Sequence, residues 1–466
     1  MFISHTVGAT ILGGYALFVA WLGILAVFTV PGLEGTVVFF LPRYENDLQT
    51  RRRVVSVCLW IAGSLSTVAA LLILTLGDRV LPIVGMPPRV RTAFAFTTIT
   101  FSLAKLFDAV FLGMGDAAAM PYYNAIRTVL RLVLCAPIFF FPSAGWTILL
   151  FALVAEGVLT LLLRIRALKK EYPGLIRGAL RQDVQSSLAT RNVLVTSAPM
   201  FGISLTDSLY PFLDKVVLGA MVPLELVGIY RVAESIAMLN STFVSPFTTF
   251  WPYISKLYHE NRMPELADAY RIINLSIIAL MLPFFLALIE VSKWALSLFG
   301  PEFAAHGQIV LLILAFGFAV DAIAGPAGAV LKMTKHSKLS LMINTVLLVI
   351  YCALSYLLTR RYGVVGIASA RTAVMVAGNL INVCANFVLL KILPYGWKHA
   401  ALLGTAATIL AVTWSLNGRI IGSAEHFLVA TCEVAVFGMI AFAVLNREIH
   451  RMYVAAQNWL AASRTD

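Results

Sequence analysis

The chain has 466 residues, of which 60% are hydrophobic and only 12% are charged, and its mean hydropathy is +0.88. A soluble domain carries about 25% charged residues, so this composition excludes an ordinary soluble enzyme or binding module. The net charge of +12 would suit a nucleic-acid partner, but the basic excess lies in loops between apolar runs. That distribution indicates topology signals and contact with anionic membrane lipids, and no nucleic-acid partner.

Apolar runs long enough to cross a bilayer recur along the whole chain. A helix needs about 20 apolar residues to span the hydrocarbon, and only helices or closed barrels satisfy their backbone there. The runs are too long and too apolar for barrel strands, so we predict an all-α polytopic membrane protein. The thirteen predicted spans are 11–41, 54–76, 93–114, 122–142, 145–165, 195–221, 226–254, 268–291, 307–331, 338–359, 364–390, 399–417 and 425–446.

One sizeable polar segment divides the chain. It is basic and covers residues 166–194. We predict an N-terminal helical bundle at 1–165, a basic cytoplasmic linker at 166–194, a second bundle at 195–390, and two extra helices with a cytoplasmic tail at 391–466. With the 43–53 loop placed inside, the inside loops carry about three times as many Lys and Arg residues as the outside loops, which places the C-terminus in the cytoplasm.

The first and seventh predicted spans form an internal sequence repeat. Residues 13–46 align without gaps to residues 228–261, and both spans run from outside to inside in the predicted topology. Such a repeat predicts two parallel bundles related by an axis along the membrane normal. The identical pairs are Gly13/Gly228, Tyr15/Tyr230, Phe28/Phe243, Pro31/Pro246, Glu45/Glu260 and Asn46/Asn261.

The repeat also predicts that the first half lacks a helix. The second copy is preceded by span 195–221, whereas the first copy is preceded by no span. The first span also carries Glu34 beside a kink predicted at Pro31-Gly32, a poor residue to expose to hydrocarbon. We therefore expect that translation starts upstream of Met1 and supplies a further apolar helix.

Charged residues within the spans are the candidate functional residues, because a charge in hydrocarbon costs about 3 kcal/mol or more and normally faces protein or a wet cavity. Arginine suits phosphate especially, since its planar fork binds two oxygens. The candidate substrate-binding cations are Arg231, Arg371, Lys105, Lys215 and Arg131. The candidate coupling or gating acids are Asp214, Asp321, Glu234 and Asp108.

A structural interpretation of the same charges stays open. Lys105 and Asp108 are three residues apart, as are Arg231 and Glu234, so each pair could be a local salt bridge. Asp321 lies in a span broken by Gly325-Pro326, which predicts either a hinge or ion site or a packing kink. The five cysteines lie within spans and form no metal-binding motif, so no metal or other cofactor is predicted.

Three stretches of the chain carry candidate family motifs. The first, LDKVVLGAMVPLELVGIYRVAESIAM, has an Asp, a short turn and then Val-Gly-Xaa-Tyr opening the next helix, here at Asp214, Val227, Gly228 and Tyr230. The others are FGPEFAAHGQIVLLILAFGF at 299–318 and RRYGVVGIASARTAV at 360–374. Together these stretches resemble the polysaccharide and oligosaccharide-lipid flippases of the multidrug/oligosaccharidyl-lipid/polysaccharide exporter superfamily.

The resemblance implies two six-helix bundles plus two C-terminal helices, fourteen in all, of which this chain has thirteen and lacks the first. It implies a transporter, not an enzyme, that flips a polyprenyl-pyrophosphate-linked glycan across the cytoplasmic (inner) membrane by alternating access. Its partners would be the lipid-linked glycan, membrane lipids and other polysaccharide-assembly proteins. A multidrug or cation antiporter of the same superfamily and a membrane-bound polysaccharide-synthesis enzyme are the alternatives. No DxD, HExxH or GxSxG motif supports catalytic residues.

Overall fold

The computed structural model describes residues 2–44, 47–83, 85–116, 119–172, 187–242, 247, 254–255, 257–258, 260–334, 336–416, 426 and 428–442. The chain forms two compact units, Met1–Gly228 and Ile229–Asp466, called unit 1 and unit 2 below. All regular elements within these described ranges are helices, which confirms the predicted all-α class. Seven of the described helices are long and apolar enough to cross a membrane, as a multi-pass membrane protein requires.

Unit 1 is built around α4, which packs against α2, α3 and α6. Buried apolar side chains such as Val37, Leu41, Val110 and Phe111 fill the space between these helices. α7 packs on α1, α2 and α3. The helices are α1 (Phe2–Thr29), α2 (Leu33–Arg43), α3 (Leu48–Ile83), α4 (Arg91–Gly113), α5 (Ala119–Cys135), α6 (Gly145–Glu171), α7 (Ser187–Met221) and the beginning of α8 (Leu224–Ala237).

Unit 2 has α11 at its centre, packed against α10 and α13, with α14 against α10. Its core includes the buried Tyr270, Ile277, Ala322 and Phe437. The helices are the rest of α8, α9 (Leu239–Thr242), α10 (Met263–Ser297), α11 (Pro301–Ala324), α12 (Ala327–Met333), α13 (Ser337–Leu390), α14 (Trp397–Leu416) and the shorter α15 (Leu428–Phe442).

Helix breaks lie where glycine and proline predict them. Gly32 has a φ of 65° and separates α1 from α2 beside Pro31, as predicted. Gly325 has a φ of 65° and separates α11 from α12 before Pro326. Gly363, with a φ of 57°, breaks α13 between the predicted spans 338–359 and 364–390. Glycine adopts such positive φ values without steric cost.

Two predicted span ends differ from the structure, and others lie outside the described residues. Span 122–142 ends as an α-helix at Cys135, because Pro137 lacks the amide that would continue it, and short 3-10 turns follow. Helices extend into both ends of the predicted linker 166–194, since α6 continues to Glu171 and α7 begins at Ser187. Most of the linker between them, and most of span 226–254 beyond Thr242, lies outside the described residues.

Asp47 begins α3 as a helix cap. Its Oδ1 accepts the backbone amides of Gln49 and Thr50 at 3.0 Å each, and its Oδ2 accepts the Thr50 hydroxyl at 2.5 Å. The Thr50 hydroxyl, with these amides, holds the pKa of Asp47 below its usual value. A capped start at this position fixes where the chain turns from the 43–53 loop into the bundle.

The equivalent glycines of the sequence repeat lie against one another. A Cβ built on Gly13 would overlap the carbonyl oxygen of Leu224 and lie 2.9 Å from the Gly228 nitrogen. A Cβ on Gly228 would overlap the carbonyl oxygen of Ala9. The backbones of α1 and early α8 therefore touch at this point, which only glycine permits.

We expect Gly228→Ala to destabilise the protein, because the added methyl group must push the two backbones apart. Overpacking of this kind costs about 1–3 kcal/mol, so the unfolding temperature in detergent should fall by several degrees. Gly63→Ala in α3 is the matched control, because a Cβ there meets nothing within 4 Å. Equal unfolding temperatures for the two variants would contradict the close helix contact.

Candidate functional site

Three neighbouring helices of unit 1, α4, α5 and α6, carry six charged side chains within their predicted spans. The periodicity of an α-helix places these side chains on the facing sides of α4, α5 and α6. The residues are Lys105 and Asp108 on α4, Arg127 and Arg131 on α5, and Glu156 and Arg164 on α6.

Glu156 is the centre of one group, which we call the Glu156 cluster together with Arg127 and Arg131. Nε of Arg127 donates to Oε1 at 3.1 Å, and Nε of Arg131 donates to Oε2 at 2.7 Å. Nη2 of Arg131 also donates to Oε1. The Glu156 side chain is completely buried, whereas Arg127 and Arg131 are 29% and 34% exposed. The cluster therefore presents one net positive charge through two arginines that keep further N–H donors.

Asp108 and Lys105 do not pair with one another. Arg164 holds Asp108 bidentately, with Nε to Oδ1 at 2.7 Å and Nη2 to Oδ2 at 3.1 Å, and its side chain is only 2% exposed. Nζ of Lys105 lies 3.3 Å from Oε1 of Glu34 on α2. The interpretation of Lys105 and Asp108 as a local salt bridge is therefore wrong. The same contact gives Glu34, which the sequence places beside a kink, a partner within unit 1.

A small cavity of about 40 Å³ lies among α4, α5 and α6, and Lys105, Arg127 and Arg164 line it. The Phe101 ring forms one wall, with Nζ of Lys105 5.9 Å and Cζ of Arg127 5.5 Å from its centroid. Space of this size holds a few water molecules. A larger anion would therefore contact the cations at the cavity rim and not be enclosed by it.

Unit 2 contains a comparable group, the Glu234 cluster of Glu234, Arg231 and Arg371. Nη1 of Arg231 lies 2.8 Å from Oε2 of Glu234, which shows the predicted local salt bridge, and Nη1 of Arg371 lies 2.5 Å from Oε1. Arg371 also donates to the Tyr230 hydroxyl at 3.4 Å and stacks over Phe318. Glu234 and Arg371 are buried, with Arg371 6% exposed, whereas Arg231 is 39% exposed.

Lys215 and Asp214 form a buried pair within α7. Nζ of Lys215 lies 3.0 Å from Oδ1 of Asp214 and donates to the carbonyl oxygen of Pro211 at 2.6 Å. Both side chains are buried in unit 1. The predicted contact between Lys215 and a substrate phosphate gains no support from this position, because a local carboxylate and a carbonyl surround the ammonium group.

Asp321 lies one turn before the end of α11. Its Oδ1 accepts Nδ2 of Asn379 on α13 at 2.9 Å. The Gly325-Pro326 break follows directly, so the structure places this acid beside backbone groups that a continuous helix would have paired.

Sequence reasoning missed Arg164 and gave Glu156 no role. Arg164 lies at the predicted end of span 145–165, where a basic residue normally faces lipid headgroups, so its burial was not anticipated. Glu156 could have been recognised from Arg127 and Arg131, which are one helical turn apart on the preceding helix. Two arginines on one face of a membrane helix need a buried acid opposite them.

The family model described as polysaccharide biosynthesis protein matches residues 2–258 of the chain. No curated protein sequence matches the chain at a significant level. The family assignment therefore depends on the match to the family model, and no individual curated relative contributes to it.

Solved structures of low sequence identity share the fold. An inward-facing multidrug resistance MATE family transporter of the MOP superfamily is 16% identical, with a TM-score of 0.72, covering 84% of this chain and 92% of that chain. The lipid II flippase MurJ in an inward closed conformation is 13% identical, with a TM-score of 0.73 and coverage of 94% and 97%. A MOP superfamily transporter from Pyrococcus furiosus, with a binding pocket of reverse polarity that suggests a different function, is 18% identical, with a TM-score of 0.59 and coverage of 84% and 89%.

Structural matches at sequence identities this low show that the fold is shared and nothing more. The match to the family model shows which family the chain belongs to. The structural matches extend over most of the chain, including the helices of both units. The resemblance noted from the sequence motifs is thereby confirmed: the chain is a multi-pass membrane protein with the fold of MOP superfamily transporters and belongs to the polysaccharide biosynthesis protein family.

Proposed function

We propose that the protein moves a lipid-linked oligosaccharide or polysaccharide precursor, joined to a polyprenyl carrier through pyrophosphate, across the cytoplasmic (inner) membrane. Movement is by alternating access, and no bond of the substrate is made or broken. The observation that carries the proposal is the Glu156 cluster, in which a buried carboxylate holds two partly exposed arginines inside a membrane bundle.

The Glu156 cluster has the properties of a phosphate-binding site. Glu156 fixes both guanidinium groups, so little side-chain entropy is lost when an anion binds. Their free N–H donors suit phosphate oxygens, and a low-dielectric surrounding strengthens each contact. Lys105 adds a further cation at the same cavity. A pyrophosphate would be attracted to this rim, while its glycan and lipid parts need not enter the small cavity.

The two arginine clusters favour an anionic substrate over the multidrug or cation alternative. In each, two arginines share one carboxylate, so each cluster carries a net positive charge. A cation antiporter would be better served by acidic groups in excess. The family description and the fold shared with a lipid II flippase agree with a lipid-linked precursor as substrate.

The proposal is tested with the double variant Lys105→Gln/Arg131→Gln, which removes one cation that lines the cavity and one arginine of the Glu156 cluster and leaves Glu156 paired with Arg127. We expect the appearance of lipid-linked glycan in the outer leaflet of cells to fall by about a hundredfold, because two phosphate contacts of about 1.5 kcal/mol each are lost. Membrane abundance, measured by immunoblot, should stay near normal since both side chains are partly exposed.

Lys338→Gln, which removes an exposed cation of unit 2, is the matched control and should export normally. Full export by the double variant would contradict the proposal. Unchanged glycan export combined with lost resistance to cationic drugs would favour the multidrug alternative.

A further inference from the structure

A larger cavity lies in unit 2, between the beginning of α10 and the beginning of α14, and its volume is about 550 Å³. We call it the α10–α14 cavity. The predicted spans 268–291 and 399–417 begin beside it, and the predicted topology places both beginnings on the cytoplasmic side. We therefore expect the cavity to lie at the level of the lipid headgroups. Its polar and aromatic lining includes Asp268 and Arg271 on α10, and Trp397, Lys398 and His399 on α14.

His399 supplies a buried hydrogen-bond donor to this cavity. Its side chain is 4% exposed, and Nδ1 accepts the backbone amide of Gly396 at 3.1 Å, so the proton of the neutral ring is on Nε2. The Arg271 backbone lies near the ring, but Nε2 is buried and forms no hydrogen bond of acceptable geometry with any residue that the structure describes. A buried donor without a partner costs about 1–3 kcal/mol, which indicates that an acceptor other than the protein satisfies it.

Two cations and one carboxylate give the lining a net positive charge. Nε of Arg271 donates to the carbonyl oxygen of Leu393 at 3.3 Å, which fixes the guanidinium group at the cavity. Its contact with Asp268 is long, at 3.5 Å from Nη1 to Oδ1, and both side chains are exposed. Nζ of Lys398 lies 5.9 Å from the centroid of the Trp397 ring. Guanidinium, ammonium and imidazole N–H groups are all donors, so the ligand that suits them is an anion with several acceptor oxygens.

The rest of the lining favours a phosphate that is attached to apolar groups. α14 begins at Trp397, and the first turn of a helix attracts phosphate through its unpaired amides and the helix dipole. The Trp397 side chain is 74% exposed, as is common for tryptophan at a membrane interface. Ile272 and Leu275 of α10 add an apolar part to the wall. A free inorganic ion would use only the polar part of this surface.

We propose that the α10–α14 cavity binds the phosphate group of an anionic membrane lipid. Arg271 and Lys398 contact the phosphate oxygens, and Nε2 of His399 donates to one of them. Basic pockets between membrane helices on the cytoplasmic side suit such headgroups. The cavity shares no residue with the Glu156 cluster or the Glu234 cluster, so this lipid is separate from the transported molecule. Its binding stands whether or not that molecule is a lipid-linked glycan.

The test is thermal unfolding of the purified full-length protein in a neutral detergent, with added phosphatidylglycerol, phosphatidylcholine or inorganic phosphate at constant ionic strength. A ligand that binds only the folded state raises the unfolding temperature in a saturable manner. We expect this rise with phosphatidylglycerol, a smaller one with the zwitterionic lipid and none with inorganic phosphate. Equal responses to the two lipids would overturn the proposal, as would an equal rise with inorganic phosphate, which would indicate a soluble anion as the ligand.

Variants locate the effect within the cavity. For Arg271→Gln and for Lys398→Gln, we expect the phosphatidylglycerol concentration at half-maximal stabilisation to rise about tenfold, the effect of losing one charge-assisted contact. Lys398→Gln serves as the test if Arg271→Gln does not fold, because Arg271 also holds Leu393.

Arg361→Gln is the matched control. Arg361 is an exposed cation of unit 2 that stacks on Tyr362, as Lys398 does on Trp397, and it does not line the cavity. We expect Arg361→Gln to keep the wild-type response. A normal phosphatidylglycerol response in Lys398→Gln would overturn the assignment. Equal weakening in Arg361→Gln would also overturn it, since the response would then depend on surface charge in general.

Discussion

Replacing Asp108 by alanine is expected to remove most of the folded protein from the membrane. The substitution leaves the guanidinium group of Arg164, which is 2% exposed, buried without the carboxylate that holds it at 2.7 Å and 3.1 Å. Breaking a buried ion pair on one side costs about 3–5 kcal/mol, a large part of a typical stability of about 5–15 kcal/mol. Membrane abundance and detergent unfolding temperature measure the loss.

The ion pair of Asp108 and Arg164 allows both a rescue experiment and a control experiment. The double variant Asp108→Ala/Arg164→Met removes both charges, and we expect it to recover much of the abundance, because a well-packed apolar pair is often as stable as a buried ion pair. Asp268→Ala breaks the exposed Arg271 pair instead and should change stability by less than about 1 kcal/mol. Normal abundance of Asp108→Ala would contradict the structural role and return Asp108 to the gating role predicted from the sequence.

Features set by local chemistry could be predicted from the sequence. The helix breaks at Pro31-Gly32 and Gly325-Pro326 follow from proline, which removes a backbone donor, and glycine, which permits a positive φ. The repeat paired Gly13 with Gly228, which lie against one another in the structure. Most of the predicted spans coincide with helices where the structure describes them, because a run of about 20 apolar residues favours a membrane-spanning helix; span 122–142 is an exception, since its α-helix ends at Cys135.

The ion pairs could not be predicted, because they depend on which helix faces which. Lys105 has Asp108 three residues away, yet its carboxylate partner is Glu34 on another helix. Asp108 binds Arg164, which is 56 residues further along the chain. Spacing in the sequence finds only partners on the same helix, as with Arg231 and Glu234.

A row of asparagines on α13 is a second feature that the sequence prediction did not include. Asn379, Asn382 and Asn386 lie on one face of an otherwise apolar span. Each amide in a membrane helix needs a polar partner, so a stripe of three predicts a polar surface opposite. These asparagines are uncharged, so a prediction from charged residues does not include them, although it does include Asp321, which Asn379 contacts.

Arg231→Ala and Arg371→Ala are both expected to reduce glycan export, but for different physical reasons. The sequence predicted a substrate-binding role for both residues. Arg231 is 39% exposed, and its removal leaves Glu234 paired with Arg371. We expect export to fall about tenfold, the effect of losing one charge-assisted contact of about 1.5 kcal/mol, with near-normal abundance. Arg371→Ala removes the buried partner of a buried carboxylate, so abundance should fall as well.

The measurement that separates the two roles is outer-leaflet glycan per molecule of protein in the membrane. This ratio should fall for Arg231→Ala and change less for Arg371→Ala, whose loss is mainly of folded protein. Arg231→Lys should recover part of the export, because it restores the charge without the bidentate fork. If Arg231→Ala exports normally and only its stability falls, the exposed arginine serves to neutralise Glu234, and the phosphate contacts of the proposed function are confined to the Glu156 cluster.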